Sequence, residues 1–168
     1  MEQTAFKNKF VLVKLLKRRN KPDYTIVKVR PGVVIVAVTE KNNFLLVKQY
    51  REALKQETLE LPAGLRDKSD ETIIQTAKRE LLEETGYTSK EWIFLGKMSA
   101  APNILSTRVA IVLALDAITQ PQQKLEEKIE LKHHAYSLKE IDEMIKKGEL
   151  ADSASIAGIY KARTYLKI

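Results

Sequence analysis

The chain has 168 residues and a formal net charge of +7, with 44% hydrophobic and 30% charged residues. This length and this balance are typical of one globular domain with a buried core, and they argue against disorder. The sequence contains no cysteine, which excludes disulfides, thiol nucleophiles and cysteine-ligated zinc or iron–sulfur clusters. It contains two histidines, so histidine-based metal or triad chemistry is not expected.

The N-terminal region lacks the apolar segment and the cleavage site of a signal peptide, and the chain has no run of 18 apolar residues. We therefore expect a cytoplasmic protein with no membrane partner. Much of the positive charge lies in residues 7–30, where nine lysines and arginines are opposed only by Asp23. This excess indicates either an anionic ligand or a solvated basic face, and composition leaves both open.

In chain order, apolar runs first predict strands at residues 10–16, 24–29, 33–38, 44–47 and 58–61. The turn-forming residues 20–23 join the first two strands into an N-terminal β-hairpin. We assign this hairpin to an extension covering residues 1–30 and the remainder, residues 31–168, to the main domain. Pro62 ends the last of these strands, and a polar loop follows it.

Residues 71–85 are predicted to form a helix. Apolar residues recur there at helical spacing, at Ile74, Ala77 and Leu81. Ser69 or Asp70 is the expected N-cap and Glu71 suits the first turn, because short polar side chains and negative charge stabilise a helix N-terminus. Gly86 is placed to end the helix.

The last part of the chain is predicted to add strands at residues 92–95, 109–115 and 129–136 and helices at residues 138–146 and 153–166. Strands dominate the middle and helices the end, which predicts an α+β or mixed α/β/α layered fold without internal repeats. His133 and His134 are expected on a strand surface.

The most informative segment is RELLEETGY, residues 79–87, which places Glu80, Glu83 and Glu84 on one helical face. Glu83 and Glu84 also lie in the last helical turn, where the helix dipole disfavours each anion by about 0.3 to 1 kcal/mol. A hard divalent cation that prefers oxygen ligands, magnesium or manganese, would compensate. From these residues alone, a solvated acidic face screened by lysines is an equal alternative.

With Gly64 and Glu71 added, the segment resembles the Nudix box, G-x5-E-x7-R-E-U-x-E-E-x-G-U, in which U is a bulky aliphatic or aromatic residue. Every defined position from Glu71 to Tyr87 matches. One extra residue separates Gly64 from Glu71, in a polar loop where insertions cost little. The resemblance implies a Nudix hydrolase, an α+β protein with a Nudix-like α/β/α sandwich around a mixed sheet, in which Glu71 holds Arg79 as structural support.

The resemblance also implies a metal site. Glu80 and Glu84 are the expected main ligands of Mg²⁺, with Mn²⁺ as the alternative, and Glu83 is a further ligand or the carboxylate that activates water. The carbonyl of Ala63 is the expected backbone ligand, and Gly64 lets its loop turn close to the metal.

Outside the box, the segments VKQYR and LELPAG, residues 47–51 and 59–64, resemble the branch that contains ADP-ribose and other nucleotide-sugar pyrophosphatases. In that branch an arginine at the position of Arg51 reaches substrate phosphate, and a guanidinium offers two donors to such oxygens. An ordinary surface arginine is the alternative. Glu60, in the second segment, is a further candidate for substrate binding.

Pro102 is the last substrate-binding candidate, because it stands 15 residues after Tyr87, a spacing associated with ADP-ribose hydrolases. The glycine usual after that proline is replaced here by Asn103, which leaves the sugar undefined. Residues 125–131, LEEKIEL, resemble a late acidic segment that keeps a loop glutamate near the metals. Glu127 aligns best as this catalytic residue and Glu130 second, against the alternative of a solvated charged loop.

The resemblance implies hydrolysis of the pyrophosphate in a nucleoside diphosphate linked to another group, giving a nucleoside monophosphate and, for a nucleotide sugar, a sugar phosphate. It also implies a homodimer whose N-terminal strands contribute to the partner's site. Three alternatives stay open: a Nudix hydrolase of dinucleoside polyphosphates or nucleoside triphosphates, a metal-free nucleotide sensor, and a basic RNA-binding or RNA-processing protein. The intact carboxylates disfavour the sensor, and no aromatic stacking motif accompanies the basic residues, so no nucleic-acid partner is expected.

Overall fold

The computed structural model describes residues 2–66, 71–120 and 131–168. Its strands are β1 (Glu2–Lys7), β2 (Val11–Leu16), β3 (Tyr24–Val29), β4 (Gly32–Thr39), β5 (Phe44–Arg51), β6 (Gln56–Glu60), β7 (Ala63–Leu65), β8 (Tyr87–Thr88), β9 (Glu91–Met98), β10 (Val109–Thr119) and β11 (Lys132–Tyr136). Its helices are α1 (Ile73–Thr85), α2 (Leu138–Lys147) and α3 (Ser153–Leu166). The predicted α+β class is confirmed.

The main sheet is mixed and has the strand order β11, β5, β4, β10 and β8, with β6 paired to β5, β7 to β4 and β9 to β10. Strands β4 and β10 run parallel, whereas β7 and β9 run antiparallel to them. Strand β4 is buried along almost all of its length because helices cover both of its faces, which explains its continuous apolar sequence.

Two apolar clusters lie on opposite faces of this sheet. Val36 of β4 packs in one cluster with Ile141 of α2 and Ile159 of α3. On the other face, Ile35 packs in a second cluster with Leu81 of α1. Adjacent strand residues point to opposite faces, so α1 covers one side and α2 and α3 cover the other. The predicted α/β/α sandwich is confirmed.

The N-terminal strands form a separate antiparallel sheet in the order β1, β2, β3. The predicted hairpin corresponds to β2 and β3, and β1 is a strand that the sequence pattern did not predict. Strand β1 is exposed along its whole length and carries one large apolar residue, Phe6, so it has no alternating pattern. Its structure depends on backbone pairing with β2.

Strand β3 attaches this N-terminal sheet to the loop that precedes β10. The Val27 N–H donates to the Ile104 carbonyl at 2.8 Å, and the Ser106 N–H donates to the Val27 carbonyl at 2.9 Å. The Thr107 hydroxyl adds a hydrogen bond to the Val29 carbonyl at 2.7 Å. The loop and the N-terminal sheet are therefore held together by backbone pairing.

Helix α1 begins two residues later than predicted. Its N-cap is Thr72, whose hydroxyl accepts from the Gln75 N–H at 3.2 Å, while the Gln75 side chain accepts from the Thr72 N–H at 2.8 Å. This reciprocal capping box makes the prediction of Ser69 or Asp70 as N-cap wrong; both residues lie outside the described ones. It also places Glu71 before the helix and not in its first turn.

The other boundaries differ mainly where pairing extends a strand beyond its apolar run. Strand β5 continues to Arg51 because residues 48–51 pair with β6. The predicted strand at 129–136 is described from Lys132, and its first two residues lie outside the described part. Gly86 ends α1 with a φ of 70°, as predicted. No helix in the described ranges is long and apolar enough to cross a membrane, and the cytoplasmic location stays a prediction.

Candidate functional site

The acidic face of α1 lies directly against β7. A Cβ atom added to Gly64 would come within 1.9 Å of the Glu80 carboxyl carbon, so no other residue fits there without moving Glu80. The Ala63 N–H, one residue earlier, donates to the Glu84 carboxylate at 3.0 Å. The loop from β6 to β7 is therefore packed against the C-terminal half of α1 and hydrogen-bonded to it.

Arg79 joins three of the acidic side chains. Its Nε donates to Glu71 at 3.1 Å, and its Nη1 donates to Glu80 at 2.8 Å and to Glu83 at 3.1 Å. Its Nη2 donates to the Leu65 carbonyl at 3.3 Å. The surrounding carboxylates hold the pKa of Arg79 above its ordinary value, chiefly through the Glu71 hydrogen bond.

Glu84 is a partly buried carboxylate of α1 with a strongly raised pKa. Its pKa is raised to about 7, chiefly by burial and also by the nearby charge of Glu80, against the opposing effects of the Ala63 N–H and the charge of Arg51. The ionised form is therefore poorly compensated by the protein alone. A cation bound beside Glu84 would favour that form.

Arg51, the last residue of β5, and Glu60, the last residue of β6, form a two-pronged ion pair across these antiparallel strands. The Arg51 Nε donates to Glu60 at 2.8 Å, and its Nη2 donates to the second carboxylate oxygen. Thr58 also donates to Glu60, at 2.7 Å. Burial alone would raise the pKa of Glu60, but the hydrogen bonds from Arg51 and Thr58 outweigh it and leave this pKa below its ordinary value.

Glu60, a sequence candidate for substrate binding, is thus placed against Arg51 and is 7% exposed. The Arg51 side chain retains 43% of its exposure. The hydrogen bond to Glu60, and more weakly the charges of Asp152 and Glu84, raise the pKa of Arg51, so the guanidinium lies within electrostatic range of the acidic face of α1. Arg51 is therefore oriented by Glu60 and still open to a ligand.

A contact that sequence reasoning missed fixes the strand end before Ala63. The Leu61 N–H donates to the hydroxyl of Ser155 at 2.8 Å, and this hydroxyl donates to Asp152 at 2.7 Å. Gly158 lies beneath the same residue, because an added Cβ would come within 2.9 Å of the Leu61 side chain. The sequence shows Asp152 as the N-cap of the last helix, but nothing local to Ser155 indicates its contact with Leu61.

The remaining candidates are not part of this described cluster. Pro102 lies in an exposed turn next to the loop that binds β3, near the N-terminal sheet. Glu127 and Glu130 lie outside the described residues. His133 is on β11 with its ring edge against Tyr87, and their ring centroids are 5.8 Å apart.

The donor chemistry of the cluster fits a hard divalent cation. As the described side chains stand, no three acidic or histidine groups converge closely enough to hold an ion, because Arg79 engages both Glu80 and Glu83. Glu80, Glu83 and Glu84 offer only oxygen donors, and the charge of Glu80 raises the pKa of Glu84. Magnesium and manganese prefer such donors, and binding would offset the repulsion.

An α/β/α sandwich in which this helix packs on a tight alanine–glycine loop defines the structural class of the protein as that of the Nudix proteins. The NUDIX domain family profile matches residues 28–157. The chain belongs to the Nudix family.

Comparison with known proteins shows which members of this family the chain resembles. It is 34% identical over 130 residues to an ADP-ribose pyrophosphatase of Mycobacterium tuberculosis, covering 76% of this chain and 62% of that protein. It is 35% identical over 103 residues to an ADP-ribose pyrophosphatase of Bacillus subtilis, covering 61% and 55%. The chain thus spans less than two thirds of the length of these curated relatives. A crystal structure of an ADP compounds hydrolase shares the fold, with a TM-score of 0.81, 22% identity and coverage of 99% and 92%.

Proposed function

We propose that the protein is a metal-dependent pyrophosphohydrolase that cleaves the diphosphate of ADP-ribose or of another nucleotide sugar. The products are a nucleoside monophosphate and a sugar phosphate. The observation that carries this proposal is the partly buried, poorly compensated Glu84 on an acidic helix face within electrostatic range of the open guanidinium of Arg51. Two relatives named ADP-ribose pyrophosphatase support the substrate class.

Glu80, Glu83 and Glu84, with the carbonyl of Ala63, are the groups that would hold Mg²⁺ or Mn²⁺. Bound there, the cation supplies activation of water and neutralisation of the charge that develops on the leaving group. The close approach of Gly64 to Glu80 keeps the Ala63 loop against the carboxylates.

Arg51 binds the diphosphate through the part of its guanidinium that Glu60 leaves exposed. A guanidinium can bind a carboxylate along one edge and a phosphate oxygen with its remaining N–H groups. In this proposal Glu60 holds Arg51 in position, while Glu71 holds Arg79 and so fixes the first part of the acidic face. Pro102 contributes to the wall that receives the sugar.

A carboxylate can accept the proton of the attacking water, and Glu83 and Glu127 are the proposed groups. A 10²-fold or larger fall in kcat is typical when a positioned acid-base group is lost. A comparison of the kcat of Glu127→Gln with that of its neighbour Glu126→Gln therefore distinguishes a positioned carboxylate from a general effect of charge.

We further propose a cytoplasmic homodimer whose N-terminal strands reach the partner's site.

A hydrolysis screen tests the proposal. The purified chain is incubated with nucleotide sugars, dinucleoside polyphosphates and nucleoside triphosphates, with Mg²⁺ and with a chelator, and the products are separated by chromatography. We expect magnesium-dependent release of a nucleoside monophosphate from ADP-ribose or a related compound. Preferred turnover of a triphosphate or a dinucleoside polyphosphate would show that the substrate is not a nucleotide sugar. Activity that survives the chelator would contradict the proposed role of the metal.

A further inference from the structure

A cavity of about 40 Å³ lies where β4 and β10 begin, beside the first turn of α1. Its charged lining residues are Arg66, Lys97 and Arg108, and no carboxylate is among the lining residues that the structure describes. A water needs roughly 10–15 Å³ of such space, so the cavity holds about three waters or one tetrahedral oxyanion.

Lys97 lies in β9, Arg66 directly follows β7 and Arg108 directly precedes β10, and the sheet register brings these three strands together. Ala110 of β10 pairs with Val33 of β4 on one side and with Lys97 of β9 on the other. Arg108 lies two residues before Ala110, immediately before β10 begins at Val109. On the far side of β4, the Arg66 N–H donates to the Pro31 carbonyl at 3.0 Å, which fixes Arg66 beside the beginning of β4.

This convergence of like charges has no internal compensation in the described part of the chain. None of the three side chains forms an ion pair or a hydrogen bond there. Elsewhere, exposed lysines such as Lys14 and Lys48 each contact a glutamate. The first turn of α1 also lines the cavity, through Ile73 and Thr76, and adds the positive end of the helix dipole.

We propose that this cavity, named here the cationic cavity, is a second binding site for a phosphate-sized oxyanion. Its ligand is inorganic phosphate or the phosphate ester of a sugar phosphate, since both carry the same dianionic group. Arginine side chains can donate two hydrogen bonds to such a group, and lysine contributes a point charge. Unlike the proposed active site, this site has no acidic residue among its described lining residues, and it needs no divalent cation.

The cationic cavity is separated from the acidic face by one layer of side chains. Thr76 lines this cavity, and its hydroxyl donates to Glu71 at 3.2 Å, while Glu71 in turn accepts from Arg79. A phosphate in the cationic cavity is therefore distinct from one held through metal at Glu80 and Glu84.

The direct test is titration of the full chain with inorganic phosphate in the presence of a chelator. Binding is measured by calorimetry or by the shift of the ³¹P resonance. We expect saturable binding that Lys97→Ala with Arg108→Ala weakens by about tenfold or more, because both variants remove charge-assisted hydrogen bonds to the anion. The control pair is Lys41→Ala with Lys90→Ala, two exposed lysines that do not line this cavity, which should bind phosphate like the wild type. Circular dichroism checks that both double variants are folded.

Three outcomes would overturn the proposal: no saturable binding, equal weakening in both double variants, or loss of binding in Glu84→Gln. The last would place the anion in the active site. Titration with a sugar phosphate identifies the source of the ligand, because tighter binding than inorganic phosphate indicates the ester and equal binding indicates the free ion. Crystals soaked in tungstate should show anomalous density between Arg66 and Arg108.

Discussion

At the scale of single residues, the site depends on how unevenly its charges are compensated. Arg79 donates to Glu71, Glu80 and Glu83, and Arg51 donates to Glu60. A backbone N–H is the hydrogen-bond donor to Glu84, and a backbone dipole compensates a buried charge far less than a guanidinium does. A divalent cation therefore gains most at Glu84.

Replacement of Glu84 by glutamine should nearly abolish turnover and leave the fold intact. It removes a proposed metal ligand, and it also removes a buried charge that the protein does not compensate well. In the presence of a chelator the melting temperature should hold or rise. Steady-state kinetics at saturating magnesium provide the measurement, with Glu40→Gln on an exposed turn as the control. Wild-type activity in Glu84→Gln would show that the metal assignment is wrong.

Arg51→Ala should raise KM for a nucleotide sugar more than it lowers kcat, since a binding clamp acts mainly on substrate affinity. Lysine should restore binding only in part, because it lacks the planar fork. The single variant also leaves Glu60 buried without its guanidinium, which should lower stability by about 1 to 3 kcal/mol. Arg51→Ala combined with Glu60→Gln should recover stability but not KM. Unchanged kinetics in both arginine variants would make Arg51 a surface residue.

Glu60 should also make stability depend on pH in the acid range. Its folded-state pKa lies below the ordinary 4.5, so ionised Glu60 stabilises the fold above that value, and the contribution is lost as pH falls through the folded-state pKa. Urea unfolding of wild type and Glu60→Gln at several pH values measures the difference. We expect a stability gap near neutrality that narrows below pH 4.5. A gap that is constant with pH would refute the ionic contribution of this residue.

At the scale of elements, the site is the contact between α1 and the short loop from β6 to β7. The Gly64 position tests this contact, because a methyl group there would overlap the Glu80 carboxylate. Gly64→Ala should therefore displace Glu80 and reduce kcat strongly. We expect magnesium to be needed at higher concentration for half-maximal activity, which a magnesium titration measures. An alanine variant with wild-type magnesium dependence would show that this close approach is not required.

Local sequence patterns predicted the elements that have a clear apolar pattern or a distinct residue at which they end. The continuous apolar run of β4, the helical spacing in α1 and the stop at Gly86 are of this kind. The N-cap of α1 was predicted wrongly because several polar residues precede it, and Gln75, three residues after Thr72, decides between them. Strand β1 was missed because exposed strands carry no apolar alternation.

The sequence predicted the carboxylates of the box and the support of Arg79 by Glu71, but not the long-range contacts that hold Arg51 and Leu61. Carboxylate spacing along one helix is visible in sequence, whereas the pairing of Glu60 with Arg51 depends on the register of β5 with β6. The hydrogen bond from the Leu61 N–H to Ser155 joins residues 94 positions apart. Such contacts are set by the packing of α3 on the sheet and leave no local signature.

At the scale of the whole molecule, the N-terminal sheet is incompletely covered. One face carries the cross-strand row Phe6, Val13 and Val27, and the other carries Lys7, Leu12 and Lys28. Phe6 is 54% exposed, and every residue of β2 is only half-buried. Small isolated sheets need an apolar face packed against something, so the apolar row favours the proposed second copy of the chain.

Two substitutions on the same strand test which face forms that dimer. Val13→Lys puts a charge into the apolar row, whereas Leu12→Lys puts the same charge into the row that already carries two lysines. Burial of an unpaired charge in an interface is strongly unfavourable, so Val13→Lys should dissociate the dimer and Leu12→Lys should leave it intact. Sedimentation equilibrium measures the association, and activity should fall with dissociation if each sheet completes the partner's site. A monomeric wild-type protein, or equal effects of the two substitutions, would refute the assignment of this face.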